Sequence, residues 1–127
     1  MTPRAAALVT LVLLAGCGSD DGSAACAAPE TTVSPGRVAV GDDLLVTGRH
    51  FAEGCYDTGQ GGRQRASQDV PVVLEQDGRT WRLGSADAAE DTFELVARVR
   101  VPDGVQPGRA RVRVGPARPV RVTLAAR

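Results

Sequence analysis

The feature that most constrains this chain is a strict two-residue alternation of apolar and polar side chains in its carboxyl-terminal third. Phe93, Leu95, Ala97, Val99 and Val101 fall on one side of an extended backbone, and Thr92, Glu94, Val96, Arg98 and Arg100 on the other. Ala110, Val112 and Val114 alternate with Arg109, Arg111 and Arg113, and Val120, Val122 and Leu124 with Arg121 and Thr123. Successive side chains of a strand point to opposite faces, so each segment offers one face to a core and the other to water. A helix would need an apolar period of 3.6 residues, which no window sustains, so the folded domain is expected to contain essentially no helix.

Turn chemistry upstream divides the chain in the same way. Thr31-Thr32-Val33 stops at Ser34-Pro35-Gly36, and Arg37 to Val40 stops at Gly41-Asp42. Leu44 to Gly48 follows. An irregular stretch then runs from Arg49 to Asp69. Val70 to Gln76 and Arg79 to Leu83 flank Asp77-Gly78, a two-residue hairpin signal that needs positive φ at both positions. Trp81 and Leu83 share a face of their strand. About seven short strands over residues 31–127, with turns at regular spacing, predict a single antiparallel β-sandwich of immunoglobulin-like form.

The amino-terminal segment carries a different signal. Arg4 supplies positive charge, and Ala5 to Gly16 is an apolar run of 12 residues. As a helix it spans about 18 Å, short of a hydrocarbon core of about 30 Å, so it reads as a signal peptide rather than a permanent span. Leu14-Ala15-Gly16-Cys17 closes the run and resembles the lipobox of bacterial lipoproteins. The resemblance implies a diacylglyceryl group on the Cys17 sulfur, cleavage after Gly16 and anchorage at the outer face of a membrane. Residues 17–30 then form the lipidated cysteine and a flexible tether of small polar residues. Gly18 follows the cysteine where the inner-membrane retention signal of Gram-negative lipoproteins has Asp, and the composition points to a Gram-positive, actinobacterial host.

With Cys17 consumed, Cys26 and Cys55 remain, and an even remainder in an oxidising compartment reads as a disulfide. Closing a loop of about 30 residues contributes roughly 3–4 kcal/mol in the chain-entropy picture. A metal or redox role has little behind it: there is no Cys-x-x-Cys, and His50 is the only histidine.

The turn residues resemble a family. Val33-Ser34-Pro35-Gly36, Gly41 and Val46-Thr47-Gly48-Arg49-His50-Phe51 look like the opening of bacterial immunoglobulin-like domains of the IPT/TIG kind, in which a strand ends in a Gly-x-x-aromatic turn. Phe93 to Pro102, then Pro107-Gly108 and an alternating strand, look like their closing half. The resemblance covers roughly residues 31–124. It implies a sandwich fold with a spacer or binding role and no catalytic residues. The Cys55 loop departs from the plain pattern.

Charge limits the function classes. Fifteen basic residues, all arginine, face fifteen acidic ones, and this balance argues against nucleic-acid binding. If the strands around 93–102, 109–114 and 119–124 share a sheet, Arg98, Arg100, Arg111, Arg113 and Arg121 project from one outer face. Such a field suits an anionic polymer, a lipid headgroup or an acidic protein. The competing reading is a solvated face paired with Glu94, Glu75 or Asp77 across strands. The stretch 54–68 is the second candidate, with Tyr56, Asp57, Gln60, Arg63 and Arg65 as recognition residues and Cys55 at its base; the competing reading is a mobile surface loop.

Two sharper chemistries fall short. Asp87, Glu90 and Asp91 lack the spacing of a calcium loop. His50 has no activated nucleophile beside it in sequence, since Ser34, Ser67 and Ser85 lie in turns and loops without a nucleophile elbow. The sequence therefore predicts a non-catalytic, cofactor-free envelope lipoprotein acting as a protein-interaction module. The alternative is an arginine-faced binder of an anionic ligand.

Overall fold

A computed structural model describes residues 27–54 and 64–127. These residues are all-β, with no helix among them. Ten strands form in chain order: β1 (Glu30–Ser34), β2 (Arg37–Ala39), β3 (Asp43–Arg49), β4 (Ala52–Glu53), β5 (Arg65–Ala66), β6 (Val70–Gln76), β7 (Arg79–Ala86), β8 (Leu95–Arg100), β9 (Gly108–Val114) and β10 (Val120–Ala125).

Eight of them build two sheets. One has three strands in the order β1-β3-β8; the other has five, β2-β10-β9-β6-β7. Their inner faces close on Leu44, Val46, Leu95 and Val99 from the smaller sheet and Val72, Leu74, Val112, Val114, Val122 and Leu124 from the larger. The alternation read from the sequence is thus the inside-outside alternation of a β-sandwich. Trp81 and Leu83 both pack against its core, as their shared face requires.

Three features depart from expectation. The sheets are not wholly antiparallel: β2 pairs parallel to β10 through Arg37↔Thr123, Val38↔Leu124 and Ala39↔Ala125. The chain leaves the smaller sheet after β1 and joins the edge of the larger one, and the Ser34–Pro35 peptide bond at that switch is cis. No hydrophobic alternation encodes such a crossover, because both strands bury one face wherever they pair.

The stretch between β3 and β6 is also not irregular throughout. β4 and β5 pair at Ala52↔Ala66 and Glu53↔Arg65, closing the base of the loop. Finally, β8 does not share a sheet with β9 and β10. It pairs with β3 from Asp43↔Arg100 to Gly48↔Leu95, while β9 lies between β6 and β10. A two-residue turn keeps its strands in one sheet, whereas the connection 101–107 is long enough to cross the roughly 10 Å between packed sheets. Val101 and Val105 are buried along that crossing.

Two local sequences set the ends of the sandwich. At one end Asp77 and Gly78 hold φ of 48° and 76°, the left-handed pair of the hairpin that joins β6 to β7. At the other, His50 takes φ 62° and turns Phe51 back into the core, where it is 1% exposed. A Cβ on Gly48 would run into the Phe51 ring and Leu95, which explains a glycine inside a strand. Phe51 is fixed further by its N–H to the Phe93 carbonyl at 3.0 Å and by its own carbonyl, which accepts from Ser67 N–H at 2.9 Å.

Candidate functional site

The arginines proposed as one field divide between two outer faces. On the three-stranded sheet the outward residues include Asp43, Arg49, Arg98 and Arg100. Charges of both signs alternate there: Arg98 Nη1 lies 4.0 Å from Asp43 Oδ2, Arg49 pairs with Glu30, and Arg100 stands opposite Asp43 in the register. Thr32, Thr47, Leu45 and the exposed Val96 complete a face on which three arginines stand against two carboxylates.

The outer face of the five-stranded sheet is different. Inward residues on β6, β9 and β10 are apolar apart from Gln76, so the intervening positions all project outward. These include Arg109, Arg111 and Arg113 of β9, Arg121 and Thr123 of β10, Arg37 of β2 and Arg82 of β7. Glu75 is the acidic residue among the outward positions of these strands. It accepts from Arg113 Nε at 2.7 Å and lies 3.6 Å from Arg111 Nη2. Arg82 reaches Asp69 at 3.8 Å. Among the described residues Arg37, Arg109 and Arg121 form no ion pair, and neither Glu94 nor Asp77 supplies the partner expected from the sequence.

Glu75, Arg109, Arg111, Arg121 and Thr123 of this face line a recess. It has a volume of about 840 Å³ and lies between the β6–β7 hairpin and the outward side of β9 and β10. Arg79 and Thr80 line one side, Arg109 and Arg111 the floor, and Arg121 and Thr123 the other side. Arg121 stands directly opposite Arg111 in the antiparallel ladder. Like charges at directly opposed positions oppose strand pairing, typically by a few tenths of a kcal/mol to about 1 kcal/mol.

Beneath the recess the backbone is held by Gln76, which is 6% exposed. Its Nε2 donates to the carbonyls of Gln106 at 2.8 Å and Arg109 at 3.3 Å, and its Oε1 accepts from Gln106 N–H at 3.1 Å. One buried amide therefore ties the crossover to the end of β6 and fixes where β9 begins. The alternation in sequence places Gln76 inward, but only the packed crossover reveals its partners.

The second candidate is seen in part. Arg65 lies on β5, and Gln64 Nε2 donates to the Gly54 carbonyl at 3.2 Å. Tyr56, Asp57, Gln60 and Arg63 lie outside the described residues, as do Cys17 and the Cys26–Cys55 pair.

The remaining polar candidates have structural tasks. Asp87 Oδ1 accepts from Asp69 N–H at 2.7 Å, and Glu90 Oε2 accepts from Ala66 N–H at 3.3 Å, so both carboxylates pin the loops around β5. Among the described residues no three His, Cys, Asp or Glu side chains cluster to hold a metal. His50 and Ser67 line a cleft of about 340 Å³ beside Pro29 and Pro116, with no hydrogen bond between them.

No protein-family model matches the chain, and no curated protein matches its sequence.

Proposed function

We propose that this protein is a non-catalytic, membrane-anchored lipoprotein of the bacterial envelope, and that it binds an anionic partner on the outer face of its five-stranded sheet. The observation that carries this reading is the charge asymmetry of the two outer faces. The three-stranded face sets three outward arginines, Arg49, Arg98 and Arg100, against the carboxylates of Asp43 and Glu30, whereas the five-stranded face sets six outward arginines against one outward carboxylate. Arginine is weakly hydrated and offers a planar fork of donors, which suits it to recognition of phosphate and carboxylate groups.

Support for the anchor comes from the lipobox-like Leu14-Ala15-Gly16-Cys17 and the short apolar run before it. The IPT/TIG resemblance fits a sandwich whose Gly48 makes room for the Phe51 turn. A disulfide between Cys26 and Cys55 would fix the tether to the loop after β4.

In-cell photocrosslinking tests the binding surface. Probes are placed at Thr123 on the five-stranded face, at Val96 on the three-stranded face and at Gln60 in the loop. Adducts of an anionic partner from Thr123 are expected, with Val96 silent. Discrete protein adducts confined to Gln60 would move the function to the loop. Labelling with a fatty-acid analogue, lost in Cys17→Ser, tests the anchor.

A further inference from the structure

We propose that the recess between the β6–β7 hairpin and strands β9 and β10 binds a phosphodiester group of a linear, non-aromatic polymer, such as a polyol phosphate, with Arg111 and Arg121 clasping it. This deepens the anionic-partner reading above and rests on it.

The opposed pair is the first reason. Arg111 and Arg121 face each other across the β9–β10 ladder, where Cβ atoms lie roughly 5 Å apart. On its other side Arg111 stands opposite Glu75, which lies 3.6 Å from it while accepting from Arg113 at 2.7 Å, so Arg121 is the member of the pair left without an ion pair. Two cations held this close on a sheet oppose its pairing unless something anionic lies between them. A tetrahedral phosphate suits that position, since its two free oxygens point along different edges and each can accept from a separate guanidinium. A carboxylate presents a single planar fork, which matches one guanidinium better than two. Thr80 and Thr123 line the same recess with hydroxyl donors.

Spacing argues for a polymer over a free ion. Arg109, Arg111 and Arg113 project from alternate positions of β9, at intervals of about 7 Å along the strand. That row extends the charge beyond the recess, so a repeating phosphate chain lying along β9 meets a guanidinium at each step.

The chemistry of the face also excludes bases. Strand-binding surfaces for nucleic acids stack bases on exposed aromatic rings. Here Phe51, Trp81 and Phe93 all pack with the core, and the recess is lined by guanidinium, hydroxyl and carboxyl groups with no ring.

Position argues against the anchoring membrane itself. The chain enters the sandwich at Glu30, paired with Arg49, beside Phe51 and Pro116. The recess lies at the other end, at Asp77 and Gly78. Strand β6 alone, from Val70 beside Gly115 to Gln76, separates these ends by about 20 Å. The recess therefore lies at the end of the sandwich distant from the point where the chain enters it.

The test uses the chain from residue 17 to residue 127 with Cys17→Ser, titrated separately with poly(glycerol phosphate), inorganic phosphate, phosphatidylglycerol vesicles, polyglutamate and single-stranded DNA. Binding is read by calorimetry and by arginine side-chain nitrogen resonances. Saturable binding of poly(glycerol phosphate) is expected, weakened at least tenfold in Arg111→Gln/Arg121→Gln and unchanged in Arg98→Gln/Arg100→Gln. Thermal melts confirm that both variants stay folded. Glu75→Gln, which removes the competing carboxylate, is expected to tighten binding several-fold.

Equal loss in both double variants, or resonance shifts confined to the three-stranded face, would overturn the recess as the site. Preference for polyglutamate, vesicles or DNA would overturn the polymer assignment while leaving an anion-binding face. Inorganic phosphate binding as tightly as the polymer would overturn the argument from spacing. Binding of none of the five would overturn both this proposal and the function it rests on.

Discussion

The two outer faces of this sandwich are made from the same kinds of strand and carry opposite electrostatic designs. On the three-stranded sheet, cross-strand neighbours alternate in sign: Asp43 meets Arg98 and Arg100, and Glu30 meets Arg49. On the five-stranded sheet, Arg121 meets Arg111, and one carboxylate, Glu75, serves two arginines. Exposed ion pairs contribute little stability, commonly 0–1 kcal/mol. The first arrangement is therefore simply a solvated surface. The second accepts repulsion where a neutral side chain would avoid it, and such local conflicts tend to sit where function is.

The largest expected effect tests what the two faces share. Leu44 and Leu74 are both fully buried, one beneath each sheet. Truncation of either to Ala is expected to cost about 3 kcal/mol in urea unfolding, from lost transfer energy and the cavity left behind. Similar losses at both would show that the sheets differ outside and not within; a loss below 1 kcal/mol at Leu44 would show the smaller sheet to be a weakly docked flap.

Gly48→Ala comes next, at about 2 kcal/mol, because the added methyl meets Phe51 and Leu95 in a packed corner. A neutral result would mean that the Phe51 turn yields easily, and that the chain-arrival end is looser than the recess end.

Glu75→Gln isolates the five-stranded face. Its loss from between Arg111 and Arg113 is expected to lower stability by about 1 kcal/mol, an effect that fades in high salt. A salt-independent loss would point to packing rather than charge.

The smallest effect separates the faces by sign. Arg121→Gln relieves repulsion and is expected to raise stability by about 0.5 kcal/mol, whereas Arg98→Gln removes an attraction and lowers it by no more than that. Low-salt melting curves of the two variants, compared with the parent chain, would show shifts in opposite directions. Shifts of the same sign would dissolve the contrast.

How much of this was legible in advance differs by level. The β8, β9 and β10 alternation identifies inward and outward residues one by one, and Asp77-Gly78 marks its hairpin, because both are short-range properties of the backbone. The existence of outward arginines is equally legible. Their grouping is not. Arg98 and Arg111 read alike in sequence, yet β8 hydrogen-bonds to β3 and β9 to β6 and β10. The β4–β5 pair and the bonds of Gln76 were hidden for the same reason: each joins residues ten or more positions apart.

The sequence by itself determined that the described residues are all-β, where the longer strands run and which side of each meets water, since those follow from side-chain period and turn chemistry. The tertiary structure alone decided which strands share a sheet, and with that which arginines stand together. A strand with one apolar face satisfies the core equally well from either side of a sandwich, so hydrophobic burial fixes its orientation and leaves its partners to be chosen by the length of the connections and the pairing of backbone hydrogen bonds.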